Sequence, residues 1–66
     1  MRNGIRELRQ ELGLSQSQLA EACEVSRLTI LSVELDRSDP SLTLAFRIAR
    51  RLGVPVEQLF HFDDDR

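Results

Sequence analysis

Residues 15–37, SQSQLAEACEVSRLTILSVELDR, decide the fold, because they read as two short helices joined by a tight turn. Ser15 is followed three residues later by Gln18, the capping-box spacing that satisfies the orphan amides at a helix start. Leu19, Ala20 and Cys23 then fall at i, i+1 and i+4. They share one inward face, with a small residue where two backbones must approach. Ser26 supplies a second N-cap soon after that helix ends. Caps so close together leave room for a turn of about three or four residues, which excludes a long loop or a strand between them. The spacing predicts helices over roughly Gln16–Cys23 and Arg27–Leu35.

Working outward, three more helices flank this pair. One is expected from about Gly4 to Leu12, capped by Asn3, with Ile5, Leu8 and Leu12 inward and Gly13 as its stop. Another starts at Ser41, after the helix-excluding Asp39-Pro40, and is expected to bury Leu42, Leu44, Ala45, Ile48, Ala49 and Leu52 before Gly53 ends it. Pro55 suits the first position of a last short helix, about Pro55–Leu59. Phe60-His61-Phe62 alternates apolar and polar, the signature of a short half-buried strand. So short a strand needs a partner, either the N-terminus or a second chain. Antiparallel pairing of two such segments across a two-fold axis is the preferred expectation, with Phe60, His61 and Phe62 at the dimer contact. Phe60 and Phe62 covering the base of the core is the alternative. The expected fold is therefore all-α: five helices and a short C-terminal strand, one domain over residues 1–66.

Composition limits what such a domain can be. A chain of 66 residues buries only about 60% of its unfolded surface, so dimerisation would help it. No apolar run approaches the ~20 residues needed to span a bilayer. Met1-Arg2-Asn3-Gly4 has no signal-peptide character, so a cytoplasmic location is expected. Cys23 is the only cysteine, which rules out an internal disulfide and reads as a small core residue. The net charge of −2 argues mildly against a nucleic-acid partner. Setting aside the carboxylates of Asp63–Asp65 turns −2 into +1, and all nine basic residues are arginine. DNA binding by a few well-placed arginines, strongly dependent on salt, stays open.

Ile5-Arg6-x-Leu8-Arg9, Gly13-Leu14-Ser15-Gln16, Leu19-Ala20 and Val25-Ser26-Arg27-x-Thr29-Ile30 follow one another in a set order. Val33-Glu34, Asp39-Pro40-Ser41-Leu42, Leu44-Ala45-x-x-Ile48-Ala49, Leu52-Gly53-Val54 and Leu59-Phe60 continue it. Each motif alone is weak; their order and spacing together are specific. The chain resembles the Cro/cI repressor-like helix-turn-helix regulators, also called xenobiotic-response-element-type, over nearly its whole length. It looks most like the minimal subgroup with one such domain and a short C-terminal segment.

The resemblance implies a lambda-repressor-like DNA-binding domain that works as a homodimer and enters the major groove with its third helix. Base readers would be Arg27, Leu28, Leu31 and Ser32. Phosphate contacts would come from Ser15, Gln16, Arg37, Ser38 and Ser41. Arg9 and Glu34 match a pair that forms an internal salt bridge. From the residues alone, Arg27 opens a helix whose N-terminal side chains reach base edges when it docks in a major groove. An arginine there can contact guanine O6 and N7 together. Gln16 sits at a helix start, where free amides and the dipole favour an anion.

Departures from the family pattern are informative. The family usually carries a polar residue at Leu28 and often one at Leu31, and commonly ends the third helix with Asn-Gly where this chain has Leu35-Asp36. Glu24 stands where glycine is frequent, so Glu24 and Asp36 are both expected to adopt a positive φ. Leu28, Leu31 and Leu35 share one face of the third helix, opposite the core-facing Ile30 and Val33. Three readings of that stripe are open: contact with thymine methyls, a protein-binding surface, or core. Fewer polar readers imply a modest specificity ratio.

The leading expectation is thus a sequence-specific transcriptional regulator, most simply a repressor. It would bind a palindromic operator as a homodimer in the cytoplasm, associated with the nucleoid. The second is a protein-interaction module of the same fold, an antitoxin or adaptor whose protein partner meets the Leu28/Leu31/Leu35 face. Catalysis is not expected, since one core cysteine and one histidine cannot assemble a nucleophilic set and no Gly-rich phosphate loop is present. Neither a cofactor nor a small-molecule ligand is expected. His61 beside Asp63–Asp65 lacks the converging donors a metal needs.

Overall fold

Three serines do the same work at three helix starts. In the computed structural model, which describes residues 2–61, Ser15, Ser26 and Ser41 each stand in extended backbone just before a helix. Each hydroxyl accepts the amide three residues on, at 3.0, 3.2 and 3.1 Å. The chain order is β1 (Arg2–Asn3), α1 (Ile5–Glu11), α2 (Gln16–Cys23), α3 (Arg27–Glu34), α4 (Leu42–Leu52), α5 (Val56–Leu59) and β2 (Phe60–His61). The Ser15–Gln18 capping box is complete, since the Gln18 side chain also accepts the Ser15 amide at 2.8 Å.

The ends of α1 to α4 are closed alike. A residue with left-handed backbone follows each helix: Gly13, Glu24, Asp36 and Gly53, at φ of 72°, 62°, 60° and 77°. The next amide then donates five residues back, Leu14 to Arg9, Val25 to Ala20, Arg37 to Ser32 and Val54 to Ala49. This closure satisfies carbonyls that a helix end leaves open. Glycine adopts it freely, whereas Glu24 and Asp36 hold it at a cost of about 1–3 kcal/mol each. The positive φ expected at both positions is present.

Ile5, Leu19, Cys23, Ile30, Ile48 and Leu59 are fully buried and bring all five helices to one core. Helices α2, α3 and α4 form its centre; α1 and α5 close it. Burial pushes the Cys23 thiol pKa up, against the opposing pull of the Arg47 and Arg51 charges.

Four expectations are corrected. Leu42 is 72% exposed, because it opens α4 at the edge of the stripe of Leu44, Ala45, Ile48, Ala49 and Leu52 that faces the core, on the side it shares with the exposed Phe46. Leu12 is half exposed: the chain reverses at Gly13, and Leu14 packs against the core instead. Pro55 precedes α5 as its cap, in extended backbone, rather than opening it. Asn3 is also displaced by one position. Gly4 is the capping residue of α1, yet the Asn3 Oδ1 still accepts the Ile5 amide at 3.1 Å.

The strand pairing is corrected as well. β2 pairs antiparallel with β1 of its own chain, Arg2 opposite His61 and Asn3 opposite Phe60, and the Gly4 amide extends the ladder to the Leu59 carbonyl at 2.9 Å. Two residues per strand cannot hold alone. The pairing is pinned by Phe60, which is 2% exposed in the core of its own chain, and by the Asn3 Nδ2, which donates to the Val33 carbonyl at 2.9 Å. Phe60 is therefore a core residue, not a residue presented to a partner, while His61 is exposed. Phe62 and Asp63–Asp65 lie outside the described residues.

Candidate nucleic-acid interface

Helix α3 is sealed on one side and open on the other. Ile30 and Val33 point inward, at 0% and 2% exposure, with Ala20 and Leu19 of α2 in the same core cluster. Arg27 and Leu28, at the opposite side and leading end, are exposed, and Leu31 and Ser32 are half-buried. The three-residue turn Glu24-Val25-Ser26 delivers this end to the surface. Ser26 holds it there by accepting the Thr29 amide and sharing a 3.0 Å hydrogen bond with the Thr29 hydroxyl.

A single polar network ties the open end of α3 to the interior. The Arg9 Nε donates to Glu34 Oε2 at 2.7 Å, and its Nη2 reaches Glu34 Oε1 at 3.3 Å. Both side chains are nearly enclosed, 10% and 2% exposed, so the expected ion pair between α1 and α3 is present and buried. The Arg9 Nη1 donates to the Leu14 carbonyl at 2.9 Å, fixing the loop ahead of α2. Gln16 then donates its Nε2 to Glu34 Oε1 at 3.0 Å, and its Oε1 accepts from the Arg27 Nη1 at 3.1 Å. A buried carboxylate thus sets the amide of Gln16, and Gln16 sets the guanidinium of Arg27. Fixing a long side chain before contact lowers the entropy lost on binding.

The remaining expected contacts surround α3. Ser15 and Ser41 spend one lone pair each on capping and keep a hydroxyl proton for an outside acceptor. Ser38 shares a 3.0 Å hydrogen bond with Ser32, joining the loop after α3 to the helix. Arg37 is exposed in that loop. The structure brings Gln16 with Arg27, and Ser32 with Ser38; it links neither pair to Ser41.

Two residues escaped the sequence reading. Arg6 and Gln10, one turn apart on α1, line a groove with Gln16, Leu31 and Leu35. Their i, i+4 spacing on the polar side of α1 was the available signal. Leu28 and Leu35 are 65% and 48% exposed, which removes the core reading for both. Among the described residues no cluster of three or more metal-ligating side chains forms. Among the described residues no helix is long and apolar enough to cross a membrane.

A helix sealed in the core behind and offered by a second helix in front is the defining arrangement of a helix-turn-helix DNA-binding domain, a non-enzymatic class of transcription regulator. Residues 5–59 match the model of the Helix-turn-helix family, and the chain belongs to that family, in its Cro/cI type. It is 53% identical to an uncharacterized HTH-type transcriptional regulator of Methanothermobacter thermautotrophicus over 98% of this chain and 96% of that protein. The restriction-modification controller protein C.AhdI from Aeromonas hydrophila shares the fold with a TM-score of 0.78 and 34% identity, over 85% of each chain. The N-terminal DNA binding domain of SinR from Bacillus subtilis does so with a TM-score of 0.79 and 29% identity, over 92% of this chain and 90% of that one.

Proposed function

We propose that this chain is a sequence-specific transcriptional repressor that binds a roughly palindromic operator as a homodimer in the cytoplasm. Helix α3 of each copy enters a major groove, the two grooves about 34 Å apart on one face of the duplex. Arg27 reads guanine, Leu28 and Leu31 meet thymine methyls, and Ser32 contacts a base edge. Gln16, Ser15, Arg37, Ser38 and Ser41 hold phosphates and set the register without reading sequence. Repression follows from occupancy, since a bound dimer excludes other proteins from the same promoter DNA.

One observation carries this reading. Arg27 stands exposed at the leading end of a helix locked from behind, with its guanidinium held by Gln16. A base reader and a phosphate contact are thereby preset as one unit. The test is an anisotropy titration of the purified chain against a selected operator duplex and a random duplex, repeated across salt. Affinity that falls steeply with salt, with a preference for the operator lost in the Arg27→Ala, Gln16→Ala double variant, supports the reading. Equal affinity for both duplexes, unaffected by the double variant, would overturn it.

A further inference from the structure

The groove between α1 and α3 holds a charge that the contacts proposed so far leave unused. Its floor is the buried Arg9–Glu34 pair, and Arg6 and Gln10 of α1 line it together with Gln16, Leu31 and Leu35. Arg9 and Glu34 cancel one another, so Arg6 leaves the groove one positive charge in surplus. Arg6 is exposed and has no carboxylate partner among the described residues. Its own helix supplies none: the residues three and four positions on are Arg9 and Gln10, and the adjacent Glu7 does not share its face.

This groove opens on the reading side of the molecule, since Leu31 and Leu35 belong to the outer face of α3. Helix α1 is held beside that part of α3 at two points. The Asn3 Nδ2 donates to the Val33 carbonyl at 2.9 Å, and the Arg9 Nε to Glu34 Oε2 at 2.7 Å. A helix with its side chains is about 10–12 Å across and a major groove about 12 Å wide. Phosphate ridges must therefore run along whatever flanks a docked α3. On this flank Gln16 stands toward the leading end, where it bonds Arg27. Arg6 and Gln10 continue the flank toward Leu35 at the trailing end.

We infer that Arg6 and Gln10 bind a further phosphate of the DNA backbone, next along the ridge from the one that Gln16 holds. Side chains four residues apart on a helix stand about 5–6 Å apart at Cβ, close enough to converge on one phosphodiester. Arg6 brings the charge, and the Gln10 amide donates a neutral hydrogen bond to the same group. The contact carries no sequence information; it fixes how far the trailing end of α3 sits in the groove. In a chain of net charge −2, each cation placed on a ridge counts for more than the sum of charges suggests. This inference rests on the DNA-binding reading above and extends its footprint.

The test is an anisotropy titration of full-chain variants across salt, on the operator and random duplexes alike. Arg6→Gln should lower the slope of log affinity against log salt by about 0.9 and weaken binding about fivefold at ~0.15 M salt, the loss of one released counter-ion. Both duplexes should weaken together, so the preference for the operator is kept. Arg6→Lys should retain the slope. Gln10→Ala should weaken binding a few-fold with the slope unchanged, because a neutral donor releases no ion. Arg51→Gln removes the same charge from α4, in a different groove, and should leave the slope near that of the wild type. Arg6→Gln binding with wild-type slope and affinity, or a slope change that Arg51→Gln reproduces, would overturn the contact while the DNA-binding reading stands. Wild-type chain with no salt-dependent affinity for either duplex would overturn both.

Discussion

The two sides of α3 obey different physics, although they are cut from the same eight residues. The inner side is specified by enclosure: Ile30 and Val33 in the core, and Glu34 tied to Arg9 with its side chain 2% exposed. The outer side is specified by display, with Arg27 and Leu28 exposed and held only by a hydrogen bond to Gln16 and by the rigidity of the helix. Substitutions on the inner side should register in stability. Those on the outer side should register in DNA binding and leave the fold intact. Gln16 bridges the two, since it bonds Glu34 and Arg27 at once.

Glu34→Ala should have the largest effect. It strands the Arg9 guanidinium in the interior and should cost about 3–5 kcal/mol in urea unfolding, most of the ~3–10 kcal/mol available to a domain of this size. Replacing both partners, Arg9→Met with Glu34→Leu, should recover most of that loss. A double variant as unstable as the single one would show that the ion pair has no apolar substitute here. Arg27→Ala comes next. It should cost about 1–3 kcal/mol of discrimination between operator and random duplex and less than about 0.5 kcal/mol of stability. A large drop in stability would erase the distinction between the two sides.

Glu24→Gly tests the turn that joins them. Relieving the positive φ of 62° should stabilise the fold by about 1 kcal/mol, seen as a higher urea midpoint without a change in slope. Leu28→Gln should be smaller still, within about 0.5 kcal/mol in stability. Its expected effect is confined to operators with thymine at the contacted position. The smallest effect concerns pH. The folded Cys23 thiol titrates above its ordinary value of 9.0, mainly through burial, so the neutral thiol is favoured in the folded state. That contribution is complete below pH 9 and is lost as pH rises through the raised value. The urea midpoint should therefore fall more steeply above pH 9 in the wild type than in a Cys23→Ala variant.

Much of the architecture was legible in the chain because its signals are local. Serine caps at Ser15, Ser26 and Ser41 and glycine closures at Gly13 and Gly53 mark helix ends by satisfying amides and carbonyls within a few residues. The interface was legible in part. Arg27 at the leading end of α3 follows from the cap at Ser26, but its tie to Gln16, and the tie of Gln16 to Glu34, join residues 11 and 18 positions apart. Arg6 and Gln10 were passed over because a polar helix face looks the same in sequence whether it meets water or a neighbouring groove.

Leu42 and Phe60 show where local reading stops. Both are large apolar side chains next to apolar neighbours, yet one is 72% exposed and the other 2%. Which of them is buried depends on helix phase and on the antiparallel pairing that sets residues 60–61 beside Arg2–Asn3. By itself the sequence determined, to within a residue or two, where the helices lie and which residues centre the core, because capping and 3.6-residue periodicity act over one or two turns. Only the tertiary structure decided which strand meets which, which leucine is left outside, and how a buried carboxylate steers a surface arginine. Those outcomes are set by contacts between segments far apart along the chain, where packing and desolvation are shared among elements and no single stretch carries the information.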